Sequence, residues 1–204
     1  AYLDRLRREA PDYRIDLHWQ DYRGRTADLV RDQKEVTRMR AELCVRLMKE
    51  EPWDFFMAVF TGTDRLQHCL HPEVMRIHDE EAVRADALTA TVRDYFVSLD
   101  AWLGEIIEAA GEDAAIFVVS DHGMQARDPS ERFGQGEKRL SGRHVNASLL
   151  IAAGPGIRPP EAVPDLSWVE RETLPRLGKV TDLTPTLLTL LGLPVGRDMD
   201  GEPL

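Results

Sequence analysis

Three short runs in this sequence are apolar on both faces: Phe55–Phe60 (FFMAVF), Ala115–Val119 (AIFVV) and Ala147–Ala153 (ASLLIAA). A strand covered on one side alternates apolar and polar residues. Runs without alternation belong to strands buried on both sides, as in a parallel sheet flanked by helices. Between the runs the period changes to that of a helix. Leu29, Val30, Val36, Met39, Leu43, Leu47 and Met48 recur at helical spacing from Thr26 until Pro52 ends the pattern. Val83, Leu88, Val92, Phe96, Leu99, Leu103, Ile106 and Ile107 do the same over Ala82–Ala110, closed by Gly111. Thr181–Leu191 predicts a last helix, with Thr181 or Asp182 to cap it and Gly192 to stop it. Helices in alternation with wholly apolar strands predict a layered α/β domain. Residues 1–25 read as an irregular connecting segment ahead of a domain over 26–204. Met124–Arg143 reads as a polar, glycine-rich loop, and 157–178 as an extended surface connection.

Composition narrows the function classes. An apolar fraction of 43% in 204 residues can fill a hydrophobic core, and no stretch approaches the roughly 20 apolar residues of a membrane span. The net charge of −10 speaks against general binding of nucleic-acid backbone. Two cysteines, Cys44 and Cys69, make no disulfide framework, which fits either a reducing compartment such as the cytoplasm or plain burial. The chain starts at Ala1 within a charged stretch and reads as a segment cut from something longer, so an upstream targeting signal would lie outside it.

Five ionisable residues stand at or just beyond the ends of the expected strands, where α/β proteins place their sites. Asp64 and His68 are spaced i, i+4, which puts both on one face of a helix beginning near Thr63. They could hold one divalent ion in common, or Asp64 could cap the helix with His68 at the surface. Asp121 and His122 follow the IFVVS run directly and could reach one ion if the chain turns at Gly123. His144 sits just before the third run, and its weight comes from the other four. His18, His71 and His78 read as surface residues, and Cys69 as a small packed one. The cations Arg127, Arg132, Lys138, Arg139 and Arg143 either form a solvated loop or meet an anionic substrate. The sequence contains no phosphate-binding GxxxxGK[ST] loop, no dinucleotide fingerprint and no GxSxG elbow.

With these residues in this order, the chain resembles the alkaline phosphatase superfamily, and within it the type I phosphodiesterase/nucleotide pyrophosphatase branch. The strings that carry the likeness are FTGTDRLQH, VVSDHGM, GRHVNASLLIAAGPGI and VTDLTPTLLTLLGLPVGRDMDGEPL, together covering Phe55 to Leu204. The resemblance implies an α/β/α-layered fold and two divalent ions, zinc or manganese. Asp64, His68 and His144 would hold one ion, and Asp121 with His122 would form part of the site for the second. It also implies in-line displacement at phosphorus on a small phosphate ester or nucleotide, started by a threonine or serine nucleophile. The family pattern opens with a strand ending in a metal-binding aspartate, followed by that nucleophile. Neither stands before the FTGTD string: Asp54 precedes its apolar run instead of following it. The expectation is therefore a C-terminal portion whose nucleophile lies upstream, inactive alone, with a sheet edge left for absent strands. A sulfatase, phosphomonoesterase or phosphomutase of the same superfamily would share these ligands. A non-catalytic binding module could retain them as relics.

Overall fold

The computed structural model describes residues 2–128, 141–159 and 176–204. Their contacts divide the chain into two compact units, Ala1–Glu112 with Met124–Val145, and Asp113–Gly123 with Asn146–Leu204.

The first unit is mainly helical. Its elements are α1 (Tyr2–Glu9), a 3-10 turn (Trp19–Tyr22), α2 (Thr26–Glu50), α3 (Gly62–Val74), α4 (Glu80–Ala85) and α5 (Ala87–Ala110). Two short strands, β2 (Gly123–Ala126) and β3 (Gly142–Val145), pair with each other. The core gathers Leu29 and Val30 of α2, Leu66 and Leu70 of α3, and Val92 and Tyr95 of α5. Burying each such side chain contributes about 1.5–3 kcal/mol. Cys69 packs against this cluster, as its spacing implied.

Two buried polar arrangements fix how the helices meet. The Tyr95 hydroxyl lies 3.2 Å from Thr37 Oγ1, which donates to the Gln33 carbonyl at 2.8 Å. Tyr95 and Gln33 press on Gly62 so closely that a Cβ there would collide with the tyrosine hydroxyl. The Arg40 guanidinium is buried and donates to the Tyr13 hydroxyl at 3.1 Å, the Val59 carbonyl at 2.6 Å, and the Ile15 carbonyl. It thereby ties α2 to the chain on either side of it.

Several expectations are corrected here. Residues 55–60 form no strand, and Phe55, Met57 and Val59 are exposed. The run has strand chemistry, but no strand among the described residues pairs with it, and pairing is what turns an extended chain into a strand. The long helix expected over 82–110 is broken at Asp86, whose carboxylate accepts from the backbone N–H groups of Leu88 and Thr89 and starts α5 afresh. The opening segment, read as irregular, contains α1. The expected loop over 124–143 contributes to β2 and β3 at its ends, and its residues 129–140 lie outside the described residues. His71 is buried, with 5% of its surface exposed, rather than at the surface.

In the second unit β1 (Ile116–Val119) and β4 (Leu150–Ala153) pair antiparallel, with Ile116 opposite Ala153 and Val119 opposite Leu150. The α/β class read from the sequence holds, but this pair is antiparallel where the apolar runs predicted a parallel sheet. Val119 and Ile151 are exposed, so these strands are covered on fewer faces than their composition implied. Helix α6 (Leu183–Leu190) follows a 3-10 turn (Val180–Asp182) and stops at Gly192, which has φ +68°. Asp182 does not cap α6. Its carboxylate accepts from the Lys179 and Glu202 amides at 2.7 and 3.0 Å, holding the C-terminal tail. Most of the extended connection expected over 157–178 falls outside the described residues. Among the described residues no helix is long and apolar enough to cross a membrane.

Candidate functional site

Helix α3 carries the first two site residues. It begins at Gly62, with Asp64 in its first turn, where the helix dipole favours negative charge. His68 lies one turn further on the same face. The helix kinks shortly after: Leu70 has φ −136° and ψ 35°, and Pro72 follows. Proline has no N–H to return to the carbonyl four residues back, so the His68 carbonyl is left without its helical partner. Ser141 takes over both backbone groups at the kink. Its N–H donates to the His68 carbonyl at 2.7 Å, and its hydroxyl donates to the same oxygen at 3.2 Å. That hydroxyl also accepts from the His71 N–H at 2.8 Å.

Gly142 continues the junction as the first residue of β3. It is buried so tightly that a Cβ would collide with the Gln67 carbonyl. Its own carbonyl lies 3.1 Å from His68 Nδ1. A carbonyl only accepts, so Nδ1 carries the proton of this bond and the neutral ring presents its Nε2 lone pair outward. His144 stands two residues along the strand, on the same side of β3 as Gly142.

The outcome is a convergence of three donor atoms inside the first unit. His144 Nε2 lies 2.8 Å from His68 Nε2 and 3.1 Å from Asp64 Oδ1. His68 Nε2 lies 3.3 Å from the same carboxylate oxygen. The other oxygen of Asp64 accepts from Arg65 Nη1 at 2.9 Å, and Arg65 Nη2 reaches Asp16 at 2.8 Å. Asp16 also accepts from the Thr61 hydroxyl at 3.2 Å. Burial opposes ionisation of Asp64, but the bonds and charge of His68, the His144 bond and the Arg65 charge outweigh it and bring its pKa to about 2. The Asp64 bond holds His68 above its ordinary value, against the opposing effect of burial. The site is therefore an anionic oxygen beside two imidazoles, with 49% of the His144 side chain accessible.

This donor set suits a divalent ion of the zinc type. A tetrahedral ion with bonds of about 2.0–2.1 Å separates its ligand atoms by about 3.3 Å. The three atoms already lie within 2.8–3.3 Å of one another. The His68 Nδ1 contact to Gly142 is the outer-shell bond that metal-binding histidines characteristically make.

Asp121 and His122 belong to the second unit. His122 Nε2 lies 3.5 Å from Asp121 Oδ1, and His122 Nδ1 lies 3.1 Å from the Gly123 carbonyl. Of the cations in the expected loop, Arg143 sits on β3 beside His144, and Arg127 donates its backbone N–H to the Ser141 carbonyl at 2.9 Å. Arg132, Lys138 and Arg139 lie outside the described residues.

Sequence reasoning did not single out Asp16, Arg65, Pro72, Ser141 or Gly142. Pro72 offered the usable signal, because a proline four residues after a candidate ligand frees that ligand's carbonyl.

Comparison with known proteins adds an independent line. A family model described as type I phosphodiesterase / nucleotide pyrophosphatase matches residues 3–157. A curated relative, the 2,3-bisphosphoglycerate-independent phosphoglycerate mutase of Aeromonas salmonicida (strain A449), is 30% identical over 108 residues, which make up 52% of this chain and 18% of that protein. No solved structure matches.

Proposed function

This chain belongs to the type I phosphodiesterase / nucleotide pyrophosphatase family of the alkaline phosphatase superfamily, and from that membership we propose that it contributes the metal-holding part of a hydrolase acting on phosphodiester or pyrophosphate bonds. Asp64, His68 and His144 hold one divalent ion, zinc or manganese. Asp121 and His122 contribute to the site of a second. The nucleophile comes from residues beyond these 204, so the chain alone is expected not to turn over. The substrate is a small phosphate ester or nucleotide.

The observation that carries this reading is the convergence of Asp64 Oδ1 with the Nε2 atoms of His68 and His144. Bound ions would supply positive charge against the oxygens that enter and leave phosphorus. The residues of this chain prepare that site. Asp64 stays ionised at any working pH, with its outer oxygen kept by Arg65. Gly142 keeps the His68 ring in the orientation and tautomer that present Nε2.

Metal content by mass spectrometry, on the wild type and on His144→Ala, is the direct test. A stoichiometric ion that is lost on substitution is expected. Absence of any ion from the wild type would overturn the assignment. Hydrolysis of bis(p-nitrophenyl) phosphate by a longer form of the protein, and none by the chain alone, tests the hydrolase reading.

A phosphomutase of the same superfamily is the second reading, favoured by the likeness to the phosphoglycerate mutase. Interconversion of 2- and 3-phosphoglycerate by the longer form, without phosphodiester hydrolysis, would select it.

A further inference from the structure

We propose that Ser141, acting through the break in α3 at Pro72, is the positioning residue that sets His144 against His68 and Asp64 and thereby sets the affinity of this site for its ion. The proposal rests on the metal-site reading given above.

A helix interrupted by proline has backbone groups that cannot be satisfied within it, and buried backbone groups left unpaired are costly. At this kink they are the His68 carbonyl and the His71 N–H, and His71 is buried. One residue answers both. The Ser141 hydroxyl accepts from the His71 N–H at 2.8 Å, while the Ser141 N–H and hydroxyl reach the His68 carbonyl at 2.7 and 3.2 Å. The residue so held stands directly before Gly142 and three positions before His144. Its backbone partner, the His68 carbonyl, belongs to the residue whose ring is a donor of the site. The register of β3 against α3 is therefore specified by the carbonyl that Pro72 sets free and by the His71 N–H beside the non-helical Leu70, and the histidine rings meet as a consequence. The Ser141 hydroxyl bonds backbone groups of His68 and His71, so its effect on an ion is transmitted by placement.

Three variants separate placement from general stability. Ser141→Ala removes the hydroxyl, Ser141→Thr keeps it, and Pro72→Ala supplies an N–H that can return the His68 carbonyl to its own helix. Two readouts are required. The first is zinc affinity, measured by competition with a chromogenic chelator. The second needs no metal: the nuclear Overhauser contact between the His68 and His144 ring protons, in protein carrying labelled histidine. The rings are 4.7 Å apart between centroids, within reach of that contact.

Ser141→Ala is expected to weaken zinc binding by about 10–100-fold, the range for groups that orient a ligand, and to lose the ring contact. Ser141→Thr is expected to restore both. Pro72→Ala is expected to weaken zinc binding without lowering the melting temperature, and it decides the matter should Ser141→Ala fail to fold. Wild-type affinity and an intact ring contact in Ser141→Ala or in Pro72→Ala would overturn the inference, as would a threonine variant no better than the alanine one. Failure of the wild type to bind zinc would instead overturn the metal-site reading, and the ring contact would still decide the role of Ser141.

Discussion

His68 Nε2 and His144 Nε2 stand 2.8 Å apart although 76 positions of sequence separate them. Two neutral imidazoles at that distance share one proton, and His68 already commits its own to the Gly142 carbonyl through Nδ1. In the neutral pair the shared proton therefore sits on His144, which also faces Asp64 Oδ1 at 3.1 Å. An ion held by all three donors requires the Nε2 lone pair of His144, so its ring proton must move to its own Nδ1.

Removal of one donor should be more severe than removal of a group that orients it. His144→Ala is expected to weaken zinc binding by more than about 100-fold, beyond the range typical of orienting groups. Because half of the His144 side chain is accessible, the metal-free melting temperature should hardly change. Chelator competition and thermal unfolding on the same preparations check both halves.

The metal-free and metal-loaded proteins should respond oppositely to pH. Asp64 raises the pKa of His68 above 6.5 in the folded chain. That contribution to stability is complete below about 6.5 and is lost as pH rises through the raised value. The metal-free melting temperature is therefore expected to fall across that interval. Zinc affinity is expected to climb over the same interval, because an ion requires the neutral ring. Thermal melts with and without zinc from about pH 6 to about pH 9 would show the two trends diverge.

Gly62→Ala should destabilise the fold before it touches the chemistry. A Cβ there meets the Tyr95 hydroxyl and the Gln33 amide, both fully buried. Overpacking of this kind costs about 1–3 kcal/mol. Urea unfolding is expected to show a lower midpoint with an unchanged slope.

Arg40→Ala should cost more than a surface arginine would. It strips the Val59 and Ile15 carbonyls and the Tyr13 hydroxyl of a shared donor. Unpaired acceptors of this kind are expected to cost about 2–3 kcal/mol in total. Unfolding in urea measures this directly, and Arg40→Lys, which lacks the fork, should recover only part of the loss.

How far the sequence could be read depended on whether a feature is local. The periodicity of α2 and the cap at Gly111 are properties of neighbouring residues, and both match the structure closely. The pairing of Asp64 with His68 was equally legible, because i, i+4 spacing on a helix places them without help from elsewhere. The run over Phe55–Phe60 was misread because its composition reports strand chemistry and nothing about a pairing partner. The break at Asp86 was hidden beneath an apolar pattern that continues across it, although an aspartate three residues before a threonine was a signal for a new helix start. Ser141 and Gly142 were beyond reach: each acts through a contact with a segment distant in sequence, and the tie of Arg65 to Asp16 is equally distant although its bond to Asp64 is local.

The Ser141 clasp also bears on how long the site persists in time. The contacts between Ser141 and His71 span 70 positions, so they close only after a large loop has been drawn together and can reopen while the helical core remains intact. The amide proton of His71, held by a serine hydroxyl rather than by its own helix, is exchangeable whenever that clasp lets go. Its exchange rate with deuterated water would time the opening of the site separately from the unfolding of the protein.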